Sequence, residues 1–246
     1  MKFQITFFNS NLQPKLQTTT LTKNFYFCLK TLPMHFISEE LEEYAALHSQ
    51  EEPQLLAALN RETHQKILQP RMLSGHFQGR VLSMLSKLVN PAHVLEIGTY
   101  TGYATLCLAE GLKTHGTIDT VDNNEELFDF QRKYFDQSPY ARQITQHLGH
   151  ALDIIPNLGK RFDLVFIDAD KENYPNYWNM VVPLVNSGGI ILSDNVLWSG
   201  KVLEPVKEND RSTKVLLEYN KLTNTDPRVE TVLLPIRDGL TVSRVI

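Results

Sequence analysis

The sequence predicts an α/β protein built on a doubly wound, mostly parallel β-sheet. Between residues 93 and 193, short apolar runs alternate with stretches of helical spacing, which is the pattern of parallel strands joined by crossover helices. The apolar run at 94–97 also leads through Gly98 and Gly102 into a second apolar stretch at 104–112. A strand, a glycine turn and a helix in this order form the nucleotide-binding βα unit, in which the backbone can approach a ligand closely.

Three helices are predicted before the sheet. Ser38 precedes two glutamates, an N-cap followed by acids in the first helical turn, and it predicts a helix that continues to His48. Pro53 is placed to begin a second helix, with Leu55, Leu56, Leu59, Thr63 and Ile67 along it. After a break at 71–75, a third helix is predicted over 78–88, with an inward side formed by Val81, Leu82, Leu85 and Leu88.

The remaining elements alternate and then end in a hairpin. Strands are predicted near 93–97, 117–121, 144–148, 163–167 and 190–193, and helices near 102–112, 124–136, 151–157, 174–184 and 211–223. Two final strands are predicted at 229–234 and 240–245. The sequence Arg237-Asp238-Gly239 between them is typical of a hairpin turn.

Composition indicates one domain preceded by an extension. The chain has 246 residues, of which 42% are hydrophobic, enough for one full-sized core at 34–246. Residues 1–33 contain no Asp or Glu, and this extension is a candidate for disorder or for a start at Met34. A net charge of −4 gives no reason to expect nucleic acid or an anionic membrane as a partner. Cys28 and Cys107 have no metal-ligand spacing, and we expect a cytoplasmic protein.

The glycine turn favours a positively charged ligand. Gly98 and Gly102 are four residues apart and lack the third glycine of a dinucleotide fingerprint. Glu96, just before the turn, would repel a pyrophosphate but suits the sulfonium and ammonium groups of S-adenosylmethionine (SAM). Asp122 lies 20 residues beyond Gly102, about where a ribose-binding acid is expected. The alternative is an ordinary βα turn without a ligand.

Oxygen donors follow two of the predicted strands. Asp168 comes directly after one apolar strand, and Asp194 and Asn195 come after another. If these strands are neighbours about 5 Å apart, the three side chains converge into an all-oxygen set that suits Mg²⁺, Ca²⁺ or Mn²⁺. The alternative is that these acids only cap helices or end strands.

Lys171 is a candidate proton acceptor, because it lies three residues beyond Asp168. It could take a proton from a metal-bound hydroxyl, or it could be a solvated lysine paired with surface acids, and spacing alone leaves both open. His147 and His150 are three residues apart. In a strand such residues face opposite sides, so we expect no metal role for them.

In combination, these motifs resemble the class I, SAM-dependent, cation-dependent O-methyltransferases. That family includes caffeoyl-CoA O-methyltransferase, its bacterial relatives and, more distantly, catechol O-methyltransferase. The resemblance runs from Ser38 to the C-terminus and rests on residues 94–103, 166–174, 193–200 and 237–241. It implies a Rossmann-like, seven-stranded sheet with an antiparallel last strand, in a homodimer.

The resemblance also implies roles for individual residues. The metal ligands are Asp168, Asp194 and Asn195, the catalytic residues are Lys171 as general base with Asp168, and Trp198 with segment 199–215 shapes the acceptor site. The cofactor is bordered by Met72, Ser74, Glu96, Gly98, Tyr100, Ala104, Asp122, Gly149, Ala151, Asp168, Asp170 and Tyr177.

Two departures from the family pattern bear on these roles. Ala104 stands where family members usually have a serine that helps to hold the cofactor carboxylate, and the missing hydrogen bond is worth about 1 kcal/mol. Gln78-Gly79-Arg80 replaces the usual acidic-Gly-Gln pattern, which leaves the details of acceptor binding open.

The expected activity is metal-assisted methyl transfer from SAM to a hydroxyl of a vicinal aromatic diol, of catechol, flavonoid or hydroxycinnamoyl type. An NAD-dependent oxidoreductase is an alternative, disfavoured by the missing glycine and by the acid before the turn. A cofactor-binding regulator without turnover is another alternative. Such a regulator would not need Asp168, Lys171, Asp194 and Asn195 together.

Overall fold

The computed structural model describes residues 38–246, and the predicted extension at 1–33 lies outside the described residues. The helices are α1 (Glu39–Leu47), α2 (Gln54–Lys66), α3 (Gly75–Val89), α4 (Tyr103–Ala109), α5 (Phe128–Gln137), α6 (Ala151–Ile154), α7 (Tyr174–Val181) and α8 (Arg211–Thr225). The strands are β1 (His93–Ile97), β2 (Thr117–Asp122), β3 (Ile144–Leu148), β4 (Phe162–Ile167), β5 (Val185–Asp194), β6 (Val229–Leu234) and β7 (Leu240–Val245). No helix in this part of the chain is both long and apolar enough to cross a membrane.

The strands form one seven-stranded sheet in the order β3-β2-β1-β4-β5-β7-β6. Neighbours among β1 to β5 are parallel, whereas β7 runs antiparallel to both β5 and β6. The predicted fold class, with its antiparallel last strand, is therefore confirmed. The strand order reverses between β1 and β4, and in open α/β sheets ligands bind beyond the carboxyl ends of the strands at this reversal.

Apolar residues from the strands face two helical layers. One layer packs α7 and α8 on the sheet around Trp178 and Tyr219, whose rings meet edge to face at 5.9 Å. The other packs α2 to α5 on the opposite face, where Cys107 is fully buried as expected for a core residue. With both faces covered, β1 and β4 are almost continuously buried, as parallel strands usually are.

The third helix differs from its prediction. It begins at Gly75 rather than near residue 78, and Leu88, predicted to face inward, is 75% exposed. Its buried face carries Ser83 and Ser86 beside Leu82, and the Ser86 hydroxyl donates to the carbonyl of Leu108 at 2.6 Å. Small polar residues that hydrogen-bond to α4 thus occupy buried positions on α3. A prediction from apolar residues alone places these positions at the surface.

Candidate active site

The glycine bend after β1 is held by the acid that ends β2. The Asp122 carboxylate accepts the backbone N–H groups of Thr99 at 3.0 Å and Tyr100 at 2.8 Å on one oxygen, and that of Asn124 at 2.9 Å on the other. Asp122 therefore fixes the bend. A carboxylate oxygen can accept more than one hydrogen bond, so the expected ribose contact is compatible with this arrangement.

Glu96 is a fully buried acid with one oxygen left without a partner. Its Oε2 accepts from the hydroxyls of Thr105 and, at 2.5 Å, Thr120, whereas Oε1 is buried and has no hydrogen-bond partner among the described residues. Burial raises the pKa of Glu96 to about 8, against the two threonine hydroxyls, which lower it. An unsatisfied buried carboxylate oxygen fits a cationic ligand such as the ammonium group of SAM.

The Glu96 carboxyl is expected to make the stability of the ligand-free protein decline as pH rises. Between its ordinary value of 4.5 and about 8, the folded state keeps a proton that the unfolded state has released, so the free energy of unfolding falls over this range. Glu96→Gln should make that decline shallower by up to about 1.4 kcal/mol per pH unit near neutrality. Denaturant unfolding from about pH 5.5 to 7.5 measures the slope.

The matched control is Glu230→Gln on β6, where the glutamate side chain is 69% exposed. It should keep the wild-type slope. Some decline should remain in Glu96→Gln, because the pKa of Asp194 is also raised, to about 7. Equal slopes for Glu96→Gln and wild type would contradict the assignment of a buried proton to Glu96.

Gly98 brings β1 into direct contact with the end of β4. Its φ is +97°, and a Cβ built on it would lie 2.0 Å from the carbonyl oxygen of Asp168. The Asp168 N–H also donates to the carbonyl of Ile97 at 2.8 Å. The backbone of the bend is therefore packed against the backbone that carries Asp168, which leaves no room for a side chain at residue 98.

Gly98→Ala is expected to destabilise the fold considerably more than Gly159→Ala. Gly159 also has a positive φ, +63°, but a Cβ there meets nothing within 4 Å, so its substitution costs only the strained conformation, about 1–2 kcal/mol. Gly98→Ala adds a clash with backbone that cannot rotate away. Thermal unfolding of the two variants compares these costs, and equal changes in Tm would show that the bend can relax.

The ends of β4 and β5 are neighbours in the sheet, which is the condition that the proposed set of oxygen donors requires. The two strands pair in parallel with Ile167 opposite Ser193, so Asp168 and Asp194 are adjacent at the carboxyl edge of the sheet. Asp194 is buried; burial and the charge of Asp168 raise its pKa to about 7. Carboxylates held this close in a buried position, with the amide of Asn195 next in the chain, are a donor set that fits a hard divalent cation.

The donor set consists of two carboxylates and an amide. Within residues 38–246, no group of three or more His, Cys, Asp or Glu side chains is arranged to hold a metal ion. His147, which the sequence analysis excluded as a ligand, lies instead 2.8 Å from Asp119 Oδ1. Lys160 donates to the other Asp119 oxygen at 2.6 Å. The His147 side chain on β3 is thus hydrogen-bonded to Asp119 on β2.

Lys171 is buried, so the alternative of a solvated surface lysine is wrong. Its Nζ donates to Asp168 Oδ1 at 3.2 Å and to the Tyr174 hydroxyl at 2.6 Å. The Tyr174 hydroxyl donates in turn to the carbonyl oxygen of Asp194 at 2.9 Å. This chain of contacts holds the amine beside both acids of the proposed cation site.

The other predicted cofactor residues lie around the same edge. Gly149 follows β3 and donates its N–H to the carbonyl of Asp122 at 2.8 Å, and Ala151 begins α6. Ala104 is buried in the first turn of α4. The Tyr177 hydroxyl donates to Asp170 at 2.5 Å, which closes the loop after β4.

The segment between α2 and α3 lies beside the glycine bend at the carboxyl edge of the sheet. Ser74 is buried and Met72 is 56% exposed. The Tyr100 hydroxyl is 3.2 Å from the carbonyl oxygens of Leu68 and Gln69, so the glycine bend and this segment are in contact.

Trp198 begins a strained connection after β5. It has a φ of +50°, and Ser199 and Gly200 also have positive φ values. The Trp198 indole Nε1 is buried without a hydrogen-bond partner among the described residues. The Ser199 N–H donates to the carboxylate of Asp238 in the β6–β7 turn, so this turn holds the connection in place.

Three polar residues at the site have roles that the sequence analysis did not assign. Gln78 donates to Asp194, Arg237 donates to Gln78, and Tyr174 links Lys171 to the backbone of Asp194. Gln78 was singled out only as a departure and Arg237 only as part of a turn. They are 159 positions apart, and no spacing rule connects them.

The fold and this edge define the class of protein. The seven-stranded sheet in this order matches the solved class I O-methyltransferases to which the chain is similar. The chain belongs to the O-methyltransferase family, whose model matches residues 46–246.

Relatives and solved structures agree with this assignment. The chain is 37% identical over 184 residues to caffeoyl-CoA O-methyltransferase 2 of Eucalyptus globulus, covering 70% of the chain and 74% of that protein. It is 36% identical over 184 residues to caffeoyl-CoA O-methyltransferase of Petroselinum crispum, covering 70% and 76%.

Among solved structures, the O-methyltransferase from Bacillus cereus in complex with SAH superposes with a TM-score of 0.77 at 26% identity, covering 84% of this chain and 97% of that one. The O-methyltransferase TomG from Streptomyces achromogenes, involved in tomaymycin synthesis and solved in complex with SAM, gives a TM-score of 0.76 at 25% identity, with coverages of 84% and 96%. The chain is thus a SAM-dependent O-methyltransferase.

Proposed function

We propose that this O-methyltransferase is cation-dependent and methylates one hydroxyl of a vicinal aromatic diol of catechol, flavonoid or hydroxycinnamoyl type. The observation that carries the proposal is the buried amine of Lys171, 3.2 Å from Asp168 and linked through Tyr174 to Asp194. A methyltransferase that only bound its cofactor would have no use for a buried lysine beside two acids.

Asp168, Asp194 and Asn195 would hold the cation, with Mg²⁺ as the first candidate and Ca²⁺ or Mn²⁺ as alternatives. When bound, such an ion lowers the pKa of a hydroxyl that it contacts. Lys171 accepts the hydroxyl proton on Nζ. Asp168 and Tyr174 position that amine, and Trp198 with segment 199–215 forms one side of the acceptor site.

On the cofactor side, we assign Glu96, Gly98 and Tyr100 to the methionine end and Asp122 to the ribose. Gly149 and Ala151 flank the adenine. Asp170 and Tyr177 close over the amino-acid part, and Met72, Ser74 and Ala104 border it. The orphaned Glu96 Oε1 supports the first assignment. Holding the cofactor in line with the acceptor oxygen supplies much of the rate in such a transfer.

The names of the relatives support a hydroxycinnamoyl thioester as one acceptor to test.

We also propose a homodimer in the cytoplasm, with a small-molecule acceptor and neither nucleic acid nor membrane as partner. Exposed apolar side chains on α1 and α3, among them Leu41, Tyr44, Met84 and Leu88, are compatible with a second copy. Membership in the O-methyltransferase family leaves no support for the NAD-dependent alternative or for a regulator without turnover.

The test is methyl transfer from labelled SAM to catechol, a flavonoid diol and a hydroxycinnamoyl thioester. We expect transfer to at least one acceptor with Mg²⁺, loss of transfer in EDTA and recovery when excess Mg²⁺ is added back. Monophenol analogues of the same acceptors serve as controls and should not be methylated. Transfer that EDTA leaves unchanged would overturn cation dependence, and equal transfer to monophenols would overturn the diol requirement.

A further inference from the structure

Two side chains connect the β6–β7 turn and α3 to the Asp194 carboxylate. The amide nitrogen of Gln78, a residue 1% exposed, donates to Asp194 Oδ2 at 2.6 Å. The Arg237 Nη1 donates to the amide oxygen of the same Gln78 at 2.8 Å. The three residues come from three separate parts of the chain and form one continuous line of hydrogen bonds.

The chemistry of the outer two groups determines how the Gln78 amide must point. A guanidinium group only donates hydrogen bonds, and an ionised carboxylate only accepts them. A glutamine between them is satisfied only with its oxygen toward Arg237 and its nitrogen toward Asp194. The reversed amide would place oxygen against carboxylate and N–H against guanidinium. Arg237 therefore decides which atom Gln78 presents to Asp194.

When the Gln78 amide donates to Asp194, each oxygen of the Asp194 carboxylate accepts one hydrogen bond. Oδ1 accepts the backbone N–H of Asn195 at 2.8 Å, and Oδ2 accepts from Gln78. One contact on each oxygen fixes the plane of the carboxylate. Without Gln78, only Oδ1 keeps its contact, and the group can rotate about its last torsion.

Arg237 also contacts the segment on the cofactor side. The same Nη1 donates to the backbone carbonyl of Ser74 and to that of Leu73, the latter at 3.1 Å. The Arg237 backbone lies in the left-handed region at φ +48°, a conformation that surrounding contacts must hold in place for a residue other than glycine. One guanidinium thus reaches both the segment bordering the cofactor and the glutamine on Asp194.

We propose that Gln78 and Arg237 are positioning residues that orient the Asp194 carboxylate for the cation, with Arg237 acting through Gln78. The inference rests on the cation-dependent function proposed above. Groups that orient a metal ligand in this way typically change metal affinity by about 10- to 100-fold when removed.

The experiment measures binding of Mn²⁺ alone, by titration calorimetry, to wild type, Gln78→Met, Arg237→Met and the double variant. Each single variant should bind Mn²⁺ about 10- to 100-fold more weakly than wild type. The double variant should bind no more weakly than the weaker single variant, because the two residues act in one line. If the two residues acted on Mn²⁺ binding independently of each other, the losses would instead add. SAH binding and Tm are measured on the same samples to check the fold, and if Gln78→Met fails to fold, Gln78→Asn, too short to reach Asp194, replaces it.

Gln143→Met is the matched control, since the Gln143 amide also donates two hydrogen bonds, to the carbonyls of Lys113 and Gly116, at the opposite edge of the sheet. It should leave Mn²⁺ binding unchanged. Wild-type affinity in a folded Gln78 variant, or additive losses in the double variant, would overturn the inference alone. A wild type that binds no Mn²⁺ would overturn the proposed function together with the inference.

Discussion

Asp194→Ala should abolish methyl transfer that depends on a divalent cation, while SAH binding stays close to that of wild type. The substitution removes one of two carboxylates at the edge where β4 and β5 end, and with it half of the negative charge that would attract the ion. Asp194 is also the more buried of the pair. A water molecule in place of its oxygen would bring no negative charge to the site.

The measurement combines steady-state turnover over a range of Mg²⁺ concentrations with SAH titration. Asp163→Asn is the matched control, because Asp163 lies at the other end of β4 and accepts the backbone N–H groups of Ala92 and His93. It should lower stability but keep the turnover of folded protein. Magnesium-stimulated turnover at the wild-type level in Asp194→Ala would exclude Asp194 as a ligand.

Lys171→Ala should lower kcat by about 100-fold or more, with a much smaller effect on the KM for SAM. In the wild type, the Nζ atom is held between Asp168 Oδ1 and the Tyr174 hydroxyl, where it can receive the proton of a bound hydroxyl. The alanine variant keeps both acids but has no group to take that proton. Single-turnover kinetics with a catechol acceptor measure the chemical step itself.

Lys171→Arg separates charge from proton transfer, because arginine keeps the positive charge and cannot act as a base at neutral pH. It should be as slow as the alanine variant. Lys160→Ala, which removes a lysine from Asp119 on the other part of the sheet, serves as a control and should turn over normally. An unchanged kcat in Lys171→Ala would remove this residue from the mechanism.

The strands were predictable because their signals are local. β1 and β4 are short, mostly apolar runs, and the bounds of β1, β3, β6 and β7 in the structure match those predicted from the sequence. The adjacency of β4 and β5 was only a condition in the prediction, since no local pattern determines strand order. The structure shows that the two strands are neighbours, because Ile167 pairs with Ser193.

The details of the site were less predictable because they depend on tertiary contacts. For Lys171 the sequence leaves two interpretations open, and its burial removes that of a solvated surface lysine. The inward face of α3 was assigned to Leu88 although Ser83 and Ser86 occupy it, because small polar residues can bury against a helix when they find acceptors. The contact of Gln78 with Asp194 joins positions 116 apart, which only the folded chain brings together.

Anomalous diffraction from crystals grown with Mn²⁺ and SAH tests the proposed cation site most directly. We expect one strong peak bonded to side-chain oxygens of Asp168, Asp194 and Asn195, with the sulfur of SAH on the side of Gly98. No manganese at this edge under saturating Mn²⁺, or manganese bound only by other residues, would contradict a cation-assisted transfer by this protein.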